Sequence, residues 1–140
     1  VLSGERRVNE PAVKSEHGRT ILVVEDNARV CELINDILEA AGFPADCVQS
    51  DRTAYERLRR GARYACMLVD VNLGSGTTGY DVARFAREID PGLPVIYVSG
   101  QTSPQSMQVN GVPGALFVEK PFTPNELIDA VRILVGHNDD

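Results

Sequence analysis

The feature that most restricts this fold is a series of short apolar runs, each stopped by polar residues. Ile21-Leu22-Val23-Val24 stops at Glu25-Asp26-Asn27, and residues 64–69 (YACMLV) stop at Asp70. Residues 94–98 (PVIYV) stop at Ser99, and residues 115–118 (ALFV) stop at Glu119-Lys120-Pro121. Such runs are too short for helices and show no polar alternation, which predicts strands buried on both faces. Residues 44–48 form a weaker run of the same kind.

Between the runs the period changes from strand to helix. Val30, Leu33, Ile34, Ile37, Leu38 and Ala41 fall at i, i+3, i+4, i+7, i+8 and i+11, one apolar helix face. Asp26 or Asn27 can cap it, and Gly42 lies just past its end. A short helix is predicted at 51–60 and another at 80–89, the latter broken by Asp90-Pro91-Gly92. Thr123-Pro124-Asn125-Glu126 is a capping box with proline at the first helical position. Leu127, Ile128, Val131 and Leu134 give the helix that follows its apolar face. Residues 101–113, punctuated by Pro104, Gly111 and Pro113, predict only a short, poorly formed helix. Strands alternating with helices imply an α/β fold: a five-stranded parallel sheet, doubly wound as (βα)5, in one domain.

The chain of 140 residues is 43% hydrophobic and 24% charged, an ordinary globular balance that excludes wholesale disorder. Residues 1–18 lack either period and predict a flexible arm or linker, leaving a domain at 19–137 and a tail at 138–140. Fourteen basic against 20 acidic residues give a net charge of −6, which argues against nucleic acid or an anionic membrane as partner. No apolar run approaches the ~20 residues of a membrane span. Cys31, Cys47 and Cys66 are odd in number and form no CxxC, so three reduced core cysteines are expected. With no secretory signal visible, the expected compartment is the cytoplasm.

In a doubly wound parallel sheet the ligand crevice lies at the carboxyl ends of the strands. Glu25, Asp26, Asp70, Ser99 and Lys120 all follow strands, so they share one rim. Three carboxylates there would repel one another and raise each other's pKa. A hard divalent cation with oxygen ligands removes the conflict, so a Mg²⁺-dependent acidic phosphate site is the chemistry the residues suggest.

The motifs ILVVEDN (21–27), MLVDVNL (67–73), VIYVSG (95–100) and FVEKPF (117–122) together resemble the receiver domain of bacterial two-component signalling, with the fold of the chemotaxis response regulator. The resemblance runs from about Arg19 to Gly136. It implies that Asp70 is the phosphoacceptor. It implies that Glu25, Asp26, Asp70 and the backbone carbonyl of Asn72 bind Mg²⁺. Lys120 and Ser99 would meet the phosphoryl group, and Phe117 would be the switch aromatic. Asn72 and Gln101 would flank the approach of the hydrolytic water and tune the lifetime of the acyl phosphate. The implied partner is a sensor histidine kinase or a histidine phosphotransfer domain. It would dock on Asn27, Ala28, Arg29, Glu32, Pro121 and Phe122. Such a domain modifies itself, and its output is a signal rather than a product. Two departures stand out: Gly74 occupies the usual place of a proline, and the switch position holds Phe rather than Tyr.

Gly74-Ser75-Gly76-Thr77-Thr78-Gly79 matches GxGxxG, yet it follows the third strand instead of the first, and Ser99 rather than an acid stands 20 residues on. A phosphatase of the haloacid dehalogenase type would need DxD after its first strand. A receiver-shaped interaction module that is never phosphorylated would lack an acid or the lysine, and all are present. Two parents are open, a stand-alone receiver and the carboxyl-terminal receiver of a hybrid sensor histidine kinase. The polar arm and the absence of an initiating Met favour the second.

Overall fold

The computed structural model describes residues 20–74, 77–100 and 109–136. The expected arm at 1–18, the tail at 138–140, Gln101 and most of the poorly formed helix at 101–113 lie outside the described residues. The strands are β1 (Ile21–Val24), β2 (Ala45–Val48), β3 (Cys66–Asp70), β4 (Val95–Ser99) and β5 (Leu116–Glu119). All pair in parallel, in the order β2-β1-β3-β4-β5. Among the described residues the helices are α1 (Ala28–Ala40), α2 (Asp51–Arg59), α3 (Gly79–Ile89) and α4 (Pro124–Val135). Val109 and Asn110 are helical as well.

Side chains alternate across each strand, and this divides the core into two apolar layers. Leu22, Val24, Met67, Val69, Val95 and Tyr97 face α2 and α3 through Ala54, Leu58, Val82 and Ala86. Ile21, Val23, Cys66, Leu68, Ile96 and Val98 face α1 and α4 through Ile34, Leu38, Leu127 and Val131. Each face of the sheet is therefore covered, which is why the strand runs are apolar without a break.

Strand ends follow the hydrogen-bond ladder rather than apolarity. β3 starts two residues later than its apolar run and continues through Asp70. The Val71 N–H still reaches the Val98 carbonyl at 3.0 Å, so the ladder holds Asp70 in line. Tyr64, outside the strand, sends its hydroxyl to Asp46 at 2.7 Å, and Arg57 meets the same carboxylate at 2.7 Å.

Helix ends follow their caps. Of the two candidates for α1, Asn27 is the cap, accepting from the Arg29 and Val30 N–H groups at 3.0 and 3.1 Å. Thr78 and Thr123 close reciprocal capping boxes with Asp81 and Glu126. The connection into β5 is tied to the core. Tyr97 accepts from the Val112 N–H at 3.0 Å, Arg84 donates to the Asn110 carbonyl at 2.7 Å, and Arg87 donates to the Pro113 carbonyl at 2.9 Å.

The cysteines correct one expectation. Cys31 of α1 and Cys47 of β2 are joined as a disulfide, with Cα atoms 6.1 Å apart, and only Cys66 is a free, buried thiol. The sequence separation of 16 conceals this contact. The chain leaves β1, packs α1 on the Ile21/Val23 face, and returns beside β1 with Cys47 opposite Val23. Among the described residues no helix is long and apolar enough to cross a membrane.

Candidate functional site

From β1 the sheet extends to β2 on one side and to β3 on the other. The chain therefore leaves β1 and β3 in opposite directions, which opens a crevice at their carboxyl ends. Glu25 and Asp26 follow β1, and Asp70 ends β3. Their carboxylate oxygens lie within 4.8 Å of one another. Glu25 and Asp70 are buried, while Asp26 is exposed at the mouth.

Backbone geometry orients two of the three acids. Glu25 Oε2 accepts from the Asn27 N–H at 3.1 Å, and Asp70 Oδ1 accepts from the Asn72 N–H at 2.9 Å. Each carboxylate takes the amide two residues on, so the turn that ends its strand also aims its side chain. Lys120 enters from the end of β5. Its Nζ lies 3.0 Å from Asp70 Oδ2 and 3.2 Å from Glu25 Oε1.

The electrostatics follow from this burial. Desolvation pushes the Glu25 carboxyl up to about 7; the Asp70 charge adds to the rise, while the Asn27 amide and Lys120 oppose it. Burial works against charge on Lys120, yet its hydrogen bond to Asp70 and the charges of Glu25 and Asp70 hold its pKa above the usual lysine value. Ser99 is buried at the end of β4, one residue beyond the Val98 that pairs with Asp70. The Lys120 N–H donates to the Ser99 carbonyl at 3.0 Å, which fixes lysine and serine as neighbours on the rim. The five residues expected to converge are thus brought to one place.

The donor set fits a Mg²⁺ ion. Every donor is a hard oxygen, and three carboxylates this close need a compensating charge beyond Lys120. Asn72, two residues past Asp70, pairs with Thr78 in a small antiparallel bridge. In that bridge the Gly79 N–H donates to the Val71 carbonyl at 2.8 Å.

Two glycines bear on the site in ways their motif did not reveal. Gly79 has no room for a side chain: a Cβ there would fall 2.9 Å from the Asp70 carbonyl carbon and closer still to its oxygen. The last glycine of the apparent nucleotide-binding run is therefore a packing residue beneath Asp70. Gly74 has φ +86°, and a Cβ there would lie 3.3 Å from Asp26 Oδ2. Proline, locked near φ −65°, could not make this turn, which gives the departure from the usual proline a structural form.

Among the other expected residues, Phe117 sits half-buried on β5 opposite Tyr97, against the α2/α3 layer. Asn72 is exposed. Gln101 lies outside the described residues. Asn27, Ala28, Arg29 and Glu32 are exposed at the start of α1, and Asn27 is already used as a cap. Pro121 is exposed, whereas Phe122 packs partly into the α1/α4 layer.

The family described as the response regulator receiver domain matches residues 21–132. The chain belongs to that family. Receiver domains are signalling modules of two-component systems. This one is 39% identical to a response regulator receiver protein from Sinorhizobium medicae WSM419, with a TM-score of 0.78 over 83% of this chain and 93% of that one. It is 32% identical to a sensor protein from Polaromonas sp. JS666, with a TM-score of 0.72 over 83% of this chain and 94% of that one. It is also 32% identical over 121 residues to the DNA-binding response regulator MtrA of Mycobacterium tuberculosis, which covers 86% of this chain and 52% of the relative. The receiver chain thus spans about half the length of the curated relatives it matches.

Proposed function

We propose that this receiver accepts a phosphoryl group on Asp70 from a phosphohistidine donor, in a Mg²⁺-dependent step of a two-component relay. The observation that carries the reading is the buried Asp70 carboxylate, held by the Asn72 amide on one oxygen and by Lys120 on the other, beside Glu25 and Asp26. An Asp70 carboxylate oxygen attacks phosphorus, the P–N bond breaks, and its electron pair returns to the donor imidazole. Catalysis of this kind is mostly positioning and charge stabilisation. The Asn72 amide and Lys120 restrict how Asp70 can turn, and the Lys120 ammonium remains close to the phosphoryl oxygens. The Ser99 hydroxyl, at the neighbouring strand end, donates to one of those oxygens. Glu25, Asp26, Asp70 and the Asn72 carbonyl would hold Mg²⁺, which when bound offsets negative charge on the acids and the phosphoryl group.

Once Asp70 is modified, Lys120 and Ser99 reorganise around the new charge, and Phe117 is the element that carries the change to the β5 edge. The donor, a sensor histidine kinase or histidine phosphotransfer domain, docks at the start of α1 and the loop after β5, through Arg29, Glu32 and Pro121. The similarity to a sensor protein from Polaromonas supports a sensor protein as one parent for such a receiver. The test is incubation with acetyl phosphate and Mg²⁺, read by intact mass. One base-labile phosphoryl adduct is expected, lost in Asp70→Asn and on chelation of the metal. An undiminished adduct in Asp70→Asn overturns the assignment.

A further inference from the structure

We propose that Cys31 and Cys47 form a reversible dithiol–disulfide site that staples α1 to the edge strand β2 and responds to small-molecule thiols. The Cα atoms are 6.1 Å apart, inside the span that a disulfide bridges. Both cysteines line a surface cavity of about 380 Å³, together with Ala28, Arg29, Glu32 and Gln49. Cys31 is buried and Cys47 is partly exposed, so a small thiol or disulfide in the cavity meets the pair from the Cys47 side.

Both redox states suit the fold. As thiols, the two residues are small, weakly polar groups: Cys31 is buried, Cys47 packs against the apolar layer that holds Ile34, Leu38 and Val23, and neither leaves a costly polar atom buried. As a disulfide, they join elements that already pack on one another. Cys66 takes no part. It lies in the middle of the sheet with no exposed surface, and burial pushes its thiol up to about 12, away from the reactive thiolate form.

The chemistry is thiol–disulfide exchange with a glutathione-type disulfide. One protein thiolate attacks a sulfur of the small disulfide, forms a mixed disulfide and releases one thiol. The second cysteine attacks the protein sulfur of that mixed disulfide, closes the Cys31–Cys47 bond and releases the second thiol. Two protein thiols lose two hydrogens, and one small disulfide becomes two thiols; reduction runs the same steps backwards.

The staple has a direct structural consequence. Cys31 lies in the first turn of α1, which starts at Ala28 and carries Arg29 and Glu32 on either side of it in sequence. Cys47 is next to Val48, whose carbonyl receives the Glu25 N–H at 3.0 Å. Closing the bond restricts the first turns of α1 relative to the acidic crevice. The docking role of α1 belongs to the reading above, whereas the redox step does not depend on it.

The experiment equilibrates the whole chain, folded, in glutathione buffers from strongly reducing to strongly oxidising, followed by acid quench, alkylation and peptide mass mapping. The expected result is one reversible two-electron transition, in which Cys31 and Cys47 go together from two alkylated thiols to a linked peptide. Cys66→Ser and Asp70→Asn should keep the transition, while Cys31→Ser and Cys47→Ser should lose it. Hydrogen exchange at the first amides of α1 should slow roughly tenfold in the disulfide form, with no such change in Cys31→Ser. Thiols that stay free in every buffer, a bond that yields only on unfolding, or exchange rates equal in both forms would each overturn the proposal. Because no phosphate enters the titration, its failure is distinct from any failure of the Asp70 assignment.

Discussion

A missing side chain at Gly79 sets how closely α3 approaches Asp70. The 2.9 Å separation between a notional Cβ and the Asp70 carbonyl carbon leaves no flexible neighbour to yield, because the obstructing atoms are backbone. Gly79→Ala should cost about 1–3 kcal/mol, the usual range for overpacking, measured by urea unfolding. It should also slow acetyl phosphate labelling, because relief of the clash moves Asp70. Labelling at the wild-type rate would mean that the Asp70 carboxylate tolerates the shift. Asn72 stands two residues past Asp70. Its backbone amide holds Asp70, while its side chain is exposed and carries an amide that can donate and accept hydrogen bonds. Asn72→Met keeps the backbone donor and removes the polar amide, so the acyl phosphate should last severalfold longer after the donor is removed. Unchanged decay takes the Asn72 side chain out of the hydrolytic step.

At the scale of elements, helix ends carry much of the local specification. The α4 capping box joins the Thr123 hydroxyl to the Glu126 N–H at 3.1 Å and the Glu126 carboxylate to the Thr123 N–H at 2.8 Å. Thr123→Ala should destabilise the domain by about 1 kcal/mol, read as a shift of the urea midpoint. Thr123→Ser, which keeps the hydroxyl, should restore most of the loss. Labelling of Asp70 should not change in either variant, because α4 buries Leu127 and Val131 rather than touching the crevice. Equal losses in the Ala and Ser variants would show that the methyl group, not the cap, stabilises the end of this helix.

Across the whole molecule, stability is coupled to what the crevice and the cysteines bind or form. A cation that binds only the folded chain stabilises it by mass action, about 2.7 kcal/mol at a concentration 100 times its Kd. Mg²⁺ should therefore raise the unfolding midpoint, chelator should reverse the shift, and Asp26→Asn should weaken it. A midpoint independent of Mg²⁺ in the wild-type chain would argue against the acidic cluster as its site. The oxidised chain should also exceed the reduced chain by about 3 kcal/mol, because a bond across 16 residues restricts the unfolded ensemble. Denaturation in the two redox states, with Cys31→Ser as the reference that cannot switch, measures that difference.

The order of strands and helices and the rim that gathers Glu25, Asp26, Asp70, Ser99 and Lys120 were legible in the sequence. Both depend on local rules: apolar runs bury strands on two faces, the helical period marks one apolar stripe, and parallel alternation puts every strand end on one side. The Thr123 capping box was visible for the same reason, and the α1 cap was narrowed to Asp26 or Asn27, since a cap acts within three residues of itself. Only the tertiary structure decided what depends on approach between distant segments. The proximity of Cys31 to Cys47 arises because α1 and β2 return to the same place beside β1. The need for glycine at position 79 arises because α3 starts against the Asp70 carbonyl. The division of Lys120 between Asp70 and Glu25, 50 and 95 residues away, is likewise set by where the strand ends stop in the folded sheet. None of these has a period or a short-range motif, because each is a distance between chain segments that folding alone brings together.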